Sequence, residues 1–285
     1  MQITIRRTRP EDAAELGRIC YEAFKTISEA HNFTPDLPSP ELALGIISML
    51  SSHSGYYGVA AEVDGRLIGS NFLDERSSIG GIGPITIDPA WQNRSAGRQL
   101  MEAVLQRTRE KNLPGVRLVQ AAFHNRSLSL YAKLGFQVRE PLSCLQGPPI
   151  KAFITGCNVR VATEADMPAC NRLCFAIHGH DRAGELQDAV KQGMARVVER
   201  GGGITGYASV VGFFGHAVGA TNDDLKALIG AADEFNGPGF LLPSRNAELL
   251  VWCLVNGLRI TQPMTLMTVG LYNEPAGAYL PSILY

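Results

Sequence analysis

The amino-acid sequence predicts an α/β protein built from two tandem domains of similar plan. The first observation is a strand–loop–helix–strand–helix pattern between residues 84 and 136. The second is an internal echo, because the pattern of residues 5–20 returns at residues 159–174. A chain of 285 residues is long enough for two domains of ordinary size.

Each copy opens with a short strand, a threonine at the start of a helix and then an amphipathic helix. The initiating residues are Thr8 and Thr163, which suit the N-terminal cap of a helix. In the first copy, apolar residues recur at helical spacing: Leu16, Ile19, Cys20, Ala23 and Phe24. The echo therefore predicts the same strand–helix start in both halves.

The region from Pro84 onward joins a strand to a loop of small residues and then to a helix. The helix is indicated by Leu100, Met101, Val104 and Leu105. Such a loop directs several backbone N–H groups and the positive end of a helix toward one point, which suits phosphate oxygens. A further strand is expected to end at Asn125, and a second helix follows it.

This region resembles the GNAT superfamily of acetyl-CoA-dependent N-acetyltransferases. The family loop reads Gln/Arg-x-x-Gly-x-Gly/Ala, and Gln92, Gly97 and Arg98 stand in register while Ser95 replaces the first glycine. The later half matches the family's Asn…Tyr-x-x-x-Gly-Phe signature at Asn125, Tyr131, Gly135 and Phe136. The resemblance covers roughly the first half of the chain.

The resemblance implies a fold for each domain: a mixed, mostly antiparallel sheet with splayed central parallel strands, flanked by helices. We expect residues 1–145 to be the catalytic domain and residues 146–157 to be a linker. Residues 158–285 are expected to form a degenerate, non-catalytic copy. The turn-rich segment at 146–150 supports the boundary.

The second copy departs from the pattern where the chemistry would lie. A strand predicted at 213–220 is followed by Thr221-Asn222 and a helix predicted at 223–235, without a Gln-x-x-Gly-x-Gly loop. Asp223 and Asp224 open that helix and would repel a pyrophosphate. Trp252 stands where the family tyrosine would be, and an indole is a poor proton donor.

If the resemblance holds, acetyl-CoA is the cosubstrate and no metal is needed. Its pyrophosphate would lie on the loop, and its pantetheine arm would run beside the strand at 85–87. The predicted cofactor-binding residues are Ile85, Thr86, Ile87, Gln92, Asn93, Arg94, Ser95, Ala96, Gly97, Arg98 and Asn125. A positive φ at Ser95 would introduce strain of about 1 kcal/mol.

Tyr131 is the candidate general acid for the leaving thiolate. The alternative is that it packs within an amphipathic helix and keeps a solvated hydroxyl. Glu75 ranks first as the general base, ahead of Asp74 and Asp88, and a chain of water molecules is a further option.

The acceptor pocket is expected in the turn-rich segment from Phe24 to Pro40, where Phe24, His31 and Phe33 are the predicted substrate-binding residues. The C-terminal stretch 264–270 reads as a strand, and the tail at 272–285 is expected to fold back over the first domain. Deletion of the residues after 270 should then alter acceptor selectivity more than acetyl-CoA affinity.

Composition limits the partners and the compartment. The formal net charge of -1 favours neither nucleic acid nor an anionic membrane. No apolar run reaches the ~20 residues that span a bilayer, and the N-terminus lacks the apolar region of a signal peptide. We expect a cytoplasmic protein with a small-molecule amine acceptor, and a homodimer is compatible with the sequence.

Cysteine and histidine usage does not indicate a metal centre. The six cysteines show no Cys-x-x-Cys pairing, and several fall at apolar helix positions, which predicts buried free thiols. Cys170 and Cys174 lie one helical turn apart without a further ligand pair. The segment from His178 to Asp181 resembles a metal-binding run, but we interpret it as a polar loop after a helix.

The leading hypothesis is an acetyl-CoA-dependent N-acetyltransferase that acts on a primary amine by direct attack. The alternative is a non-catalytic acyl-CoA sensor or regulatory scaffold.

Overall fold

The structure is a computed structural model that describes residues 2–284. The elements of the first half are β1 (Thr4–Arg7), α1 (Ala13–Ala30), α2 (Pro40–Ser52), β2 (Tyr56–Val63), β3 (Arg66–Asp74), β4 (Ile79–Ile82), β5 (Thr86–Ile87), α3 (Ala96–Glu110), β6 (Gly115–Ala121), α4 (Asn125–Lys133) and β7 (Gln137–Gln146). Those of the second half are β8 (Asn158–Val161), α5 (Met167–His178), α6 (Ala183–Lys191), β9 (Arg196–Arg200), β10 (Gly203–Ala208), β11 (Ala217–Gly219), α7 (Asn222–Ala231), β12 (Phe240–Pro243), α8 (Ala247–Val255), β13 (Arg259–Gly270) and β14 (Ala278–Leu280).

Local sequence explains where the helices near the site begin. The Ser39 hydroxyl accepts a hydrogen bond from the Leu42 N–H at 3.3 Å, and Pro40 occupies the first turn of α2. In α3, Leu100 and Val104 are fully buried at helical spacing, as the hydrophobic pattern predicts.

The strands form two sheets, one of nine strands and one of five. The path of the first is β1-β2-β3-β4-β6-β13-β7-β12, with β5 paired to β3. The second has the order β14-β11-β10-β9-β8. Among these named strands, β4 and β6 pair in parallel and the other pairings are antiparallel. The prediction of a mixed, mostly antiparallel sheet with central parallel strands is therefore confirmed for the nine-stranded sheet, whereas the named strands of the five-stranded sheet pair only antiparallel.

The two halves exchange strands within the first sheet. β13 comes from the second half and lies between β6 and β7, with Leu266 opposite Val119 and also opposite Glu140. In turn β7 lies between β13 and β12 of the second half. A division at residues 146–157 stays a prediction, since this backbone pairing joins the halves on both sides of the proposed linker.

The central strands separate from each other, as the resemblance implies. Parallel pairing of β4 with β6 runs from Ile79 to Gly81 and stops there. Beyond that point β5 pairs with β3, while β6 continues its pairing with β13. The sheet therefore opens between residues 85–87 and residues 118–121.

Helices cover both faces of the first half. Val59, Ala61 and Val63 of β2 pack in a core with α3 and α4, while the intervening Ala60 packs in a core with α1 and α2. Since successive side chains of a strand point to opposite faces, the two helix pairs lie on opposite sides of the sheet. Leu284, the last described residue, packs in the core of α1 and α2, which confirms that the described part of the tail folds back over the first half.

Several local predictions were wrong. β6 ends at Ala121, and Asn125 begins α4 instead of ending a strand. The strand predicted at 213–220 is reduced to β11 because the chain turns at Phe213, whose N–H donates to the Asn236 carbonyl. α7 ends at Ala231.

Residues 179–182 form the loop after α5, as the sequence interpretation has it, but the histidines of this segment are buried. His178 ends α5 and is 1 % exposed, and His180 is 4 % exposed. His216 packs against His178, with 3.2 Å between their Nε2 atoms, and the His180 ring stacks on the His178 ring. All six cysteines are free, and Cys157 alone among them is partly exposed.

Candidate active site

A cavity of about 400 Å³ occupies the opening between β5 and β6. Its wall includes residues from both faces of the sheet, such as Gly97 and Leu130 on one side and Phe24 and Leu37 on the other. The cavity therefore passes through the sheet at the point where the central strands separate.

The N-terminus of α3 borders the cavity. Ser95 caps this helix with φ of 65° and Asn93 has φ of 62°, so the loop turns sharply before the helix. The Arg126 guanidinium donates to the Gln92 side-chain oxygen at 2.8 Å and to that of Asn93 at 3.2 Å. Arg126 and Arg98 both line the cavity, so a helix N-terminus and two guanidinium groups meet at this end.

The wall offers space and unsatisfied polar atoms to a ligand. A Cβ added at Gly97 would make only ordinary contacts, at 3.6 Å from Leu130 Cδ2, so neighbouring protein atoms do not demand a glycine there. Thr86 Oγ1, Gln120 Nε2 and His124 Nε2 are buried without a hydrogen-bond partner among the described residues. All three residues line the cavity. Such atoms need a partner that a bound polar molecule can supply.

Most of the predicted cofactor-binding residues lie on this wall: Ile85, Thr86, Ile87, Gln92, Asn93, Ser95, Ala96, Gly97 and Arg98. Arg94 lies instead over the Trp91 ring, 5.0 Å from its centroid. Asn125 is absent from the described wall, although its neighbour Arg126 contributes to it. The structure thus brings together the strand and loop residues but not these two.

Tyr131 lines the cavity from α4 and is 6 % exposed. Its ring meets Phe136 edge to face, with 6.1 Å between ring centroids. Burial raises the pKa of the phenol above its ordinary value, which keeps it protonated at neutral pH. A protonated phenol in the wall of the cavity is able to donate a proton there.

His124 is a second titratable group in the wall, and the sequence did not single it out. Burial, followed by the nearby charge of Arg126, lowers its pKa to about 4. The imidazole is therefore neutral at neutral pH, with one nitrogen available as a donor or acceptor.

The carboxylates predicted as bases lie elsewhere. Glu75 forms an ion pair with Arg107 on the α3 side at 2.6 Å. Asp74 binds Arg76, and Asp88 accepts a hydrogen bond from the Ala90 N–H. None of the three is part of the described wall. The structure does not bring the predicted base to the cavity.

The opposite end of the cavity contains a carboxylate that the sequence did not single out. Asp36 lies in the loop between α1 and α2, is 8 % exposed and lines the cavity. Its Oδ1 accepts a hydrogen bond from Gln262 Nε2 of β13 at 2.6 Å. Burial raises the pKa of the Asp36 carboxyl, and the bond from Gln262 partly opposes that change. No local pattern links residues that are 226 positions apart.

The predicted acceptor residues are only partly in the wall. Phe24 lines the cavity directly. Phe33 stacks on Phe123 at 4.2 Å between centroids, and His31 lies 5.3 Å from the same ring, so both support a residue of the wall. The second half contributes further residues to the wall: Phe213, Phe214, Met264, Ile283 and Leu284.

In the second half, α7 corresponds to α3, and the Asp224 side chain of α7 occupies its N-terminus. Asp224 is fully buried and accepts hydrogen bonds from the Thr221 N–H and from the Thr205 hydroxyl at 2.6 Å. Arg200 also binds it, at 3.2 Å. The carboxylate therefore occupies the Thr221 N–H, and its negative charge at this helix start would repel a phosphate.

Within residues 2–284, we found no group of three or more His, Cys, Asp or Glu side chains that could hold a metal ion. In the same range, no helix has the length and apolar character required to cross a membrane.

Residues 20–136 match the family model described as Acetyltransferase (GNAT) family. Mycothiol acetyltransferase from Nocardia farcinica is 30% identical over 132 residues, which cover 45% of this chain and 42% of that protein. The chain therefore matches less than half the length of this relative.

Solved structures share the fold over almost the whole chain. A putative acetyltransferase from Pyrococcus horikoshii has a TM-score of 0.75 and 17% identity, with 97% of this chain and 94% of that chain covered. A GCN5-related N-acetyltransferase from Sphaerobacter thermophilus has a TM-score of 0.61 at 15% identity, covering 95% and 96%. A tandem GNAT protein from the clavulanic acid biosynthesis pathway has a TM-score of 0.56 at 12% identity, covering 94% and 98%.

Proposed function

We propose that the chain carries an acetyltransferase domain of the GNAT family, whose model residues 20–136 match, and that it transfers an acetyl group from acetyl-CoA to a primary amine of a small molecule. The observation that carries the proposal is the cavity through the sheet, with the α3 N-terminus at one end and a buried phenol in its wall. The family match supports the acetyl donor, and a cavity volume of about 400 Å³ supports a small acceptor.

The wall residues fit acetyl-CoA. The N–H groups of residues 95–98, together with Arg98 and Arg126, would hold the pyrophosphate. Beyond β4, the edge of β5 that faces β6 is left without a strand partner, and it would pair with the amide groups of the pantetheine arm. The bound cosubstrate would supply the acetyl thioester. A backbone N–H near Ile87 would polarise the carbonyl of that thioester.

Tyr131 would act as the general acid. The neutral amine attacks the carbonyl carbon, so that a C–N bond forms as the C–S bond breaks. The acylated nitrogen loses a proton to solvent, the thiolate takes the phenolic proton, and the phenolate regains a proton from solvent. A phenol whose pKa is raised by burial stays protonated until a thiolate forms beside it.

The test measures thiol release from acetyl-CoA with a panel of primary amines, and mass spectrometry identifies the acetylated product. A Gly97→Leu variant, which fills the space beside α3, should raise the KM for acetyl-CoA at least tenfold. Gly45→Leu is the matched control, because the space around Gly45 is open and lies outside the described wall. Stabilisation by acetyl-CoA without turnover of any amine would favour the sensor and overturn the enzyme.

A further inference from the structure

The cavity has opposite charges on its two faces. Arg98 and Arg126 reach it from α3 and α4, whereas Asp36 reaches it from the loop between α1 and α2 on the other face of the sheet. Among the described wall residues, Asp36 is the sole carboxylate. A molecule spanning the cavity therefore meets cations at its phosphate end and an anion at the far end.

A hydrogen bond fixes the Asp36 carboxylate and leaves one of its oxygens available to a ligand. Gln262 is its one hydrogen-bond partner among the described residues, and this bond occupies Oδ1. The titratable groups that interact with it are the buried thiols of Cys20 and Cys144, which do not supply a positive charge. A buried carboxylate without a cationic partner is unfavourable unless a ligand provides one.

The surroundings of Asp36 are apolar. Phe24 and Ile27 of α1 contribute to the same wall, and Phe213, Phe214 and Leu284 of the second half complete it. An acceptor at this end would thus meet mainly aromatic and aliphatic groups, beside the Asp36 carboxylate and Ser28 of α1. This combination suits an ammonium group attached to an apolar body.

We propose that Asp36 binds and deprotonates the ammonium group of the acceptor, and that the acceptors are accordingly primary alkylamines with an apolar body. The inference rests on the proposed function and names its substrate class. Gln262 is a positioning residue, since it holds the carboxylate without lining the described cavity.

The proton balance of the step is complete. One proton passes from the ammonium to the carboxylate, which frees the nitrogen lone pair for attack on the acetyl carbon. After the C–N bond forms, the nitrogen loses a second proton to solvent, while the departing thiolate gains one from Tyr131. Protonated Asp36 returns its proton to solvent. Burial that raises the pKa of the carboxyl makes it a stronger base for this transfer.

The test compares Asp36→Asn with the unchanged protein on two nucleophiles. 2-Phenylethylamine is cationic at neutral pH, whereas benzhydrazide is neutral and needs neither an ion pair nor deprotonation before attack. The kcat/KM for 2-phenylethylamine should fall by about 10–10²-fold, because a charge-assisted hydrogen bond is lost. The kcat/KM for benzhydrazide and the KM for acetyl-CoA should change by less than about threefold, because a neutral nucleophile forms no ion pair with Asp36 and acetyl-CoA is proposed to bind at the arginine end of the cavity.

Glu29→Gln is the matched control, because Glu29 is an exposed carboxylate on α1 outside the cavity. Asn is nearly isosteric with Asp and removes a buried charge, so the thermal midpoint of Asp36→Asn at pH 7 should not fall. Calorimetric titration of 2-phenylethylamine into each protein with CoA present gives an independent measure of binding.

The outcomes separate the two proposals. Unchanged kinetics of Asp36→Asn toward 2-phenylethylamine, or equal losses for both nucleophiles, would overturn the role of Asp36. If no amine is acetylated, the proposed function is contradicted. Calorimetry would then still test whether Asp36 contributes to the binding of 2-phenylethylamine. Failure of the unchanged protein to bind 2-phenylethylamine would overturn the substrate class.

Discussion

Gln262 Nε2 donates a 2.6 Å hydrogen bond to Asp36 Oδ1, across 226 residues of sequence. Gln262 belongs to β13, the strand of the second half that lies between β6 and β7 of the first half. The exchanged strand therefore places a donor from one half against the acceptor end of the cavity in the other. This contact gives the second half a direct part in the site.

Substitution of Gln262 by Met should shift the pH dependence of amine acetylation. The bond from Gln262 stabilises the charged carboxylate, so its loss raises the pKa of Asp36 further. Because Asp36 is charged only above its raised pKa, kcat/KM for 2-phenylethylamine falls as pH decreases through that value. The fall should begin at higher pH in the variant. A profile that does not move in a folded variant would contradict the positioning role, and Thr261→Val is the control on the same strand.

Substitution of Tyr131 by Phe should lower kcat by about 10²–10⁴-fold, since the variant lacks the proposed proton donor. The ring and its contact with Phe136 are retained, so the thermal midpoint should stay close to that of the unchanged protein. Tyr21→Phe, which changes a tyrosine of α1 outside the described cavity wall, provides the control. An unchanged turnover number would leave Tyr131 as a packing residue.

Ser95 occupies the left-handed region with φ of 65°, which L-residues adopt at a cost of about 1 kcal/mol. Glycine should be tolerated there, since relief of strain is offset by the added freedom of the unfolded chain. Valine, which is β-branched, should destabilise the protein by about 1–3 kcal/mol and weaken acetyl-CoA binding. Urea denaturation and calorimetry measure both effects. Equal stability of the Gly and Val variants would contradict this backbone conformation.

Glu75→Gln should leave turnover within about twofold of the unchanged value, because Glu75 lies outside the described wall and pairs with Arg107. Loss of this partly exposed ion pair should lower the free energy of unfolding by no more than about 1 kcal/mol. Steady-state kinetics and denaturation test the two statements. A decrease in kcat of about 10²-fold would restore Glu75 as the general base.

Ile283→Ala should widen the acceptor end of the cavity. The change should favour bulkier amines in competition assays while leaving the KM for acetyl-CoA unchanged, because Ile283 lies with Phe213 and Phe214 in the wall. Leu271→Ala, at an exposed position after β13, is the control. Deletion of all residues after 270 is a less specific test, since it also removes β14 from the second sheet. If Ile283→Ala changed amine selectivity and acetyl-CoA binding equally, Ile283 would not specifically shape the acceptor end of the cavity.

Local chemistry made the phosphate end predictable. The spacing from Gln92 to Arg98 and the periodicity of α3 depend on neighbours within a few turns, and the residues of this loop other than Arg94 line the cavity as expected. Tyr131 was found in the same way, from its position in a short signature. The boundaries of β6 and β11 were missed because turns at their ends depend on packing against distant segments.

The sequence alone predicted the repeated strand–helix start of the two halves and helix α3 from hydrophobic period and capping, and the family resemblance predicted the loop before α3. The tertiary structure decided which carboxylate meets the cavity: Asp36 lies inside it, whereas Glu75 is paired with Arg107. It also decided that β13 enters the first sheet and brings Gln262 to Asp36. Such contacts join residues far apart in the chain, and they are set by how the sheet is assembled rather than by any local pattern.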